Sequence, residues 1–149
     1  MAEPNPSKGR ADPFDLERFV SAQEGVYGGA LAELRSGRKR THWMWFVFPQ
    51  IDGLGHSPIS KHYAIKNLAE ARAYLDHPVL GPRLRECADA VLAVRGHSAA
   101  ELFGYPDDLK LKSSMTLFAQ VAERGSAFGR VLEKYFGGEQ DANTLRLLR

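Results

Sequence analysis

Thr41-His-Trp-Met-Trp-Phe-Val-Phe-Pro-Gln50 is the stretch on which the fold class turns. Read alone it suits a short β-strand, because bulky rings fill a pleated, half-buried surface well. A lone strand cannot pair, however, and no second strand-like run stands out elsewhere in the chain. The block therefore reads as an extended buried segment or a short helix, followed by the loop Ile51-Asp-Gly-Leu-Gly-His-Ser-Pro58.

Outward from it the signals are helical. Upstream, residues 1–11 are Pro, Gly and small polar groups that bury too little surface to order themselves, so a flexible tail is expected there. Asp12-Pro13 reads as a helix start, with Asp as N-cap and Pro at N1. Leu16, Phe19, Val20, Gln23, Tyr27, Ala30, Leu31 and Leu34 recur at helical spacing, which predicts one amphipathic helix over 13–36 closed by Gly37. Gly25, Gly28 and Gly29 weaken its middle by roughly 1 kcal/mol each relative to Ala.

Downstream, 57–95 reads as helical again. Ser57-Pro58 and Asn67-x-x-Glu70 are start signals, and Pro78 is a break. Ser98-x-x-Glu101 caps a short turn ending at Phe103-Gly104. Pro106 opens a helix with the apolar stripe Leu111, Met115, Phe118, Ala119 and Ala122. Gly125-Ser126, Gly137-Gly138 and Asp141 punctuate the last two helices. The expectation is a mainly α chain, a single compact all-α domain over 12–149, with six to eight helices and an extended aromatic segment.

The 149 residues carry 20 Lys+Arg against 18 Asp+Glu, formally +2, with 44% hydrophobic and 26% charged residues. These proportions exclude disordered and fibrous classes and argue against a dedicated duplex-DNA binder. No apolar run approaches the ~18 residues of a membrane span, and the start has no apolar signal core, so a cytoplasmic protein is expected. Cys87 is the sole cysteine, which leaves no internal disulfide. The five histidines form no i,i+4 pair, and no dinucleotide or phosphate-loop fingerprint is present; neither a metal nor a cofactor is expected.

Two stretches could carry chemistry. In Gly37-Arg-Lys-Arg-Thr-His-Trp-Met-Trp45 both tryptophans follow three consecutive cations. Trp43 and Trp45 can stack a planar base, Lys39 and Arg40 can neutralise phosphate, and Gln50 can orient a sugar. His42 is the histidine best placed for acid–base work. The same residues would equally serve as a packed aromatic core preceded by cations that offset a helix dipole. In the second stretch Asp107, Lys110 and Ser114 stand at i, i+3 and i+7, on one helix surface. If that surface is enclosed, Lys110 serves as nucleophile or base with Asp107 as its partner; if not, it is a solvated polar face. Gln23, on an otherwise apolar stripe, either orients a ligand or satisfies nearby backbone.

The chain resembles the bacterial family known as domain of unknown function 1810, whose members are often mislabelled calpastatin. The likeness rests on Asp12-Pro-Phe-Asp-Leu-x-Arg-Phe-Val-x-Ala-Gln23, Gly37-x-Lys-x-x-His-Trp-Met-Trp-Phe-x-Phe-Pro-Gln50 and Leu75-x-His-Pro-Val-Leu-Gly-x-Arg-Leu84. It continues in Phe103-Gly-x-Pro-Asp-x-Leu-Lys-x-x-Ser-Ser-Met-Thr-Leu-Phe118 and Gly138-x-x-Asp-x-x-Thr-Leu145. True calpastatins are disordered inhibitors, whereas this chain reads as globular. A fainter likeness joins Arg18-Phe-Val-Ser-Ala-Gln23 and Lys110-x-x-x-Met115-x-x-Phe118 to the NADAR superfamily, with Glu24 where that pattern has a basic residue. That resemblance implies cleavage of N-glycosidic bonds in a nucleotide or ADP-ribose-like small molecule; in such a reaction Lys110 and Asp107 are the residues expected here to carry the chemistry. Two other expectations use the same residues: a non-catalytic nucleotide- or protein-binding module on the aromatic groove, and RNA binding through residues 35–40.

Overall fold

Short polar side chains decide where half of the helices begin. Ser57, Asn67, Ser98, Ser126 and Asp141 each accept a backbone N–H three residues on, satisfying a donor that the first turn leaves open. At Ser98 the Glu101 carboxylate returns the favour by accepting the Ser98 N–H at 2.8 Å, which completes a capping box. The computed structural model describes residues 11–149; the tail expected over 1–11 lies outside them but for Ala11.

Ten helices form among the described residues. The first five are α1 (Glu17–Gln23), α2 (Tyr27–Ser36), α3 (Met44–Val47), α4 (Pro58–His62) and α5 (Leu68–Asp76). The others are α6 (Leu80–Ala93), α7 (Ala99–Phe103), α8 (Asp107–Ala119), α9 (Ala127–Phe136) and α10 (Ala142–Leu147). The mainly α architecture is as expected, but the count exceeds six to eight, in part because the single helix read over 13–36 is divided in two. The 57–95 stretch is three helices, α4, α5 and α6, divided where the start signals at Ser57 and Asn67 and the break at Pro78 place the boundaries. The helix read over 13–36 is α1 and α2, separated where Glu24 turns extended and Gly25 takes φ +71°, a left-handed conformation that only glycine adopts cheaply. Its start also moves. The Asp12 carboxylate accepts the N–H groups of Leu16 and Glu17 at 2.8 and 3.0 Å, so Pro13 lies in the preceding turn rather than at N1.

The aromatic block resolves as the short-helix alternative. Met44–Val47 make one helical turn, and only its exit continues extended to Ile51, which meets Ile65 in an isolated parallel bridge. Its side chains explain why it stays inside: Trp43, Met44, Val47 and Phe48 are buried, and Trp43 and Phe48 both pack edgewise or tilted against Phe103 or one another.

α8 is the central element. It packs against α5, α7, α9 and α10, while α6 packs against α2, α5 and α9. Leu111, Met115, Leu117 and Phe118 of α8 enter the core cluster, where Phe118 lies between Tyr74 and Phe128. One backbone bond then sets the future site: Lys39 N–H donates to Leu102 O at 2.8 Å, holding the basic segment beside the α7–α8 turn. Among the described residues no helix is long and apolar enough to cross a membrane.

Candidate functional site

α8 opens with Asp107 and Asp108, acids in the first turn of a 13-residue helix, where the dipole favours negative charge. The Asp107 carboxylate receives two cations. Lys39 Nζ lies 2.8 Å from one oxygen, and Lys110 Nζ lies 3.4 Å from the other. Each ammonium also sits over an indole: Lys39 Nζ is 5.0 Å from the Trp43 ring centre, and Lys110 Nζ is 5.2 Å from that of Trp45. The arrangement is thus two lysine–tryptophan pairs joined through one carboxylate.

The lysines differ in reach. Lys39 is only 6% exposed and also donates to Thr41 O at 2.6 Å, so its ammonium is committed to the protein. Lys110 is 26% exposed and retains N–H groups for a ligand. These two lysines, Asp107 and Trp45 line an open hollow of about 280 Å³. His42, Met44, Tyr105 and Pro106 complete its wall. That volume is near the lower bound of small-molecule sites, roughly 300 Å³.

Glu33, on α2, pins the basic segment from behind. Its carboxylate accepts the N–H groups of Arg40 and Thr41 at 2.6 and 2.9 Å, the Trp43 indole N–H at 3.1 Å, and the Thr41 hydroxyl. Partial burial pushes the Glu33 carboxyl upward. The Thr41 hydroxyl, the two backbone donors and the indole outweigh that and hold it at about 2.

Comparison with known proteins agrees with the motifs. The family described as a protein of unknown function (DUF1810) matches residues 13–148. The chain belongs to the DUF1810 family. A solved structure, that of the conserved hypothetical protein Rv1873 from Mycobacterium tuberculosis, is 58% identical with a TM-score of 0.90, over 92% of this chain and 98% of that one. No curated protein matches the chain significantly.

In this DUF1810 member the expected site residues divide into two groups. Lys39, His42, Trp45, Asp107 and Lys110 come together around the hollow, although they arise from segments about 65 residues apart. The other five stand elsewhere. Trp43 is fully buried and cannot wall a ligand, since its edge is bound to Glu33 and its face is covered by Lys39. Gln23 is a satisfied core amide: it donates to Phe46 O at 2.8 Å and Tyr74 Oη at 3.2 Å and accepts from Arg83 at 3.2 Å. Arg40 is exposed and is not part of the hollow's wall, only its backbone being engaged. Gln50 lines a separate crevice of about 20 Å³, shared with Trp45, Gly55 and Ser60. Ser114 is fully buried, its hydroxyl without a partner among the described residues.

Glu33 and Tyr105 were missed by sequence reasoning. Glu33 sits ten residues from the indole it holds, too far for any local pattern to link them. Tyr105 carried one usable signal, an aromatic between Gly104 and Pro106 at the start of the lysine-bearing helix.

Proposed function

We propose that the hollow belongs to a cytoplasmic hydrolase acting on the N-glycosidic bond of a nucleotide or ADP-ribose-like ligand. The observation that carries this reading is Asp107 held between the Lys39 and Lys110 ammonium groups at the edge of an open, aromatic-walled hollow. The resemblance of α1 and α8 to NADAR motifs supports it.

Such bonds break through a cation-like sugar C1, which a nearby carboxylate stabilises, while the leaving nitrogen needs a proton. Asp107 supplies the negative charge beside C1 and takes a proton from the attacking water. The water oxygen bonds to C1 as the C1–N electron pair departs with the nitrogen, and the Lys110 ammonium protonates that nitrogen. A proton passed from Asp107 to Lys110 across their 3.4 Å contact restores both groups. Lys39 keeps the carboxylate in place, and Trp45 steers Lys110 through its ring face.

Incubation with nucleotides, NAD and ADP-ribose should release free base or ADP-ribose, followed by chromatography. Lys110→Ala should remove release, with circular dichroism and Tm verifying that the fold is kept even though the Asp107 and Trp45 contacts are lost. Turnover that persists in Lys110→Ala overturns the mechanism. One observation favours a second reading, a non-catalytic nucleotide-binding module: both Asp107 oxygens are already engaged by ammonium groups. Its signature is ligand-dependent thermal stabilisation without any product.

A further inference from the structure

The tryptophans look like the natural stacking surface of this hollow, yet both already have partners. A cation over a ring and a base stacked on that ring compete for the same π face. Lys39 covers the buried Trp43, and Lys110 stands over the half-buried Trp45. Phe48 and Phe103 pack against Trp43 in the core.

Tyr105 is different. It lines the hollow, it is 81% exposed, and among the described residues it engages in no ring contact or side-chain hydrogen bond. Ile59, Leu68 and Leu109, the other exposed large apolar side chains among the described residues, are 38–49% exposed. An aromatic ring gains most from burial, so leaving this one in water at the mouth of a cationic hollow forgoes a contact that a planar ligand can supply. The fixed charges beside it, two lysines against one carboxylate, leave a net +1 that matches a phosphate group.

We infer that Tyr105, and neither tryptophan, is the base-stacking residue of the hollow, and that the ligand class is a nucleoside monophosphate or a ligand ending in one. The base lies on the Tyr105 ring while the phosphate meets the net positive charge of the hollow. This rests on the nucleotide reading above but is independent of whether hydrolysis follows.

Calorimetric titration with two probes, AMP and ribose 5-phosphate, separates base from phosphate recognition. Wild type should bind AMP about tenfold or more tightly than ribose 5-phosphate, the ordinary worth of one stacked base. Tyr105→Phe keeps the ring and should keep that preference. Tyr105→Ala should bring AMP down to the ribose 5-phosphate level without changing ribose 5-phosphate itself; the residue's exposure lets the fold tolerate the change, which circular dichroism verifies. AMP affinity equal in Tyr105→Ala and wild type overturns the inference, as does a wild type that binds no AMP. If glycoside release nevertheless depends on Lys110, the hydrolase reading survives that failure. Tyr105-dependent AMP binding with no product from any ligand instead upholds the stacking role and removes the hydrolase.

Discussion

Glu33 collects three N–H groups and a hydroxyl from Arg40, Thr41 and Trp43, so the wall of the hollow that carries Lys39 and Trp45 depends on one carboxylate of α2. Glu33→Gln should lower stability by about 2 kcal/mol, the scale of hydrogen bonds to a charged group, read by urea titration at neutral pH. The pH dependence follows from the same contacts. The carboxyl drops from 4.5 to about 2 on folding, so its stabilisation is complete above the unfolded value. It is lost as pH falls from about 4.5 toward 2, because the unfolded chain takes up the proton first. Glu33→Gln should flatten that part of the acid limb; an identical acid limb in the variant would show that the four donors do not favour the ionised form. At this scale the residue types of the site were legible. Lys39, Trp45, Asp107 and Lys110 were singled out from composition and spacing, but nothing local distinguishes Trp43, a covered ring, from Trp45, a ring at the edge of water.

Element boundaries were legible wherever a capping side chain acts on its own turn. Ser57, Asn67, Ser98, Ser126 and Asp141 all cap helices because the bond spans only three residues. The α5–α6 corner shows where such reading stops. Pro78 marks the break, but His77 also turns its Nδ1 to accept the N–H groups of Val79 and Leu80 at 3.1 and 3.2 Å. Gly81, in the first turn of α6, comes so near the end of α5 that an added Cβ would stand 2.0 Å from Leu75 O. That oxygen is backbone and cannot swing aside. Gly81→Ala should therefore destabilise the protein by about 3 kcal/mol or more, measured as a fall in the urea midpoint at constant slope. A loss of only a few tenths would mean the corner can open without cost.

The molecule as a whole is tied by a few long-range polar contacts set into a continuous apolar cluster. Arg18 of α1 donates to His62 O and Ala64 O and pairs with the buried Glu70 at 2.7 Å, drawing the α4–α5 segment onto α1. Cys87 lies on the inner face of α6, fully buried, and burial pushes its thiol up to about 12. Because the reactive species is the thiolate, Ellman's reagent should leave the native protein essentially unmodified and titrate one thiol per chain once urea unfolds it. Rapid native labelling would show that α6 separates readily from its neighbours.

The amino-acid order by itself determined the helical class, half of the helix starts and the two stretches from which the site is drawn. Each of these depends on side chains acting within a turn or on apolar periodicity along one helix. Only the tertiary structure decided which lysine is committed and which is free, and that each indole lies beneath an ammonium group. It alone decided that Glu33 holds one wall and that Tyr105 remains in solvent. Those outcomes depend on burial and on contacts between residues dozens of positions apart, which arise when α8 takes its place at the centre of the core.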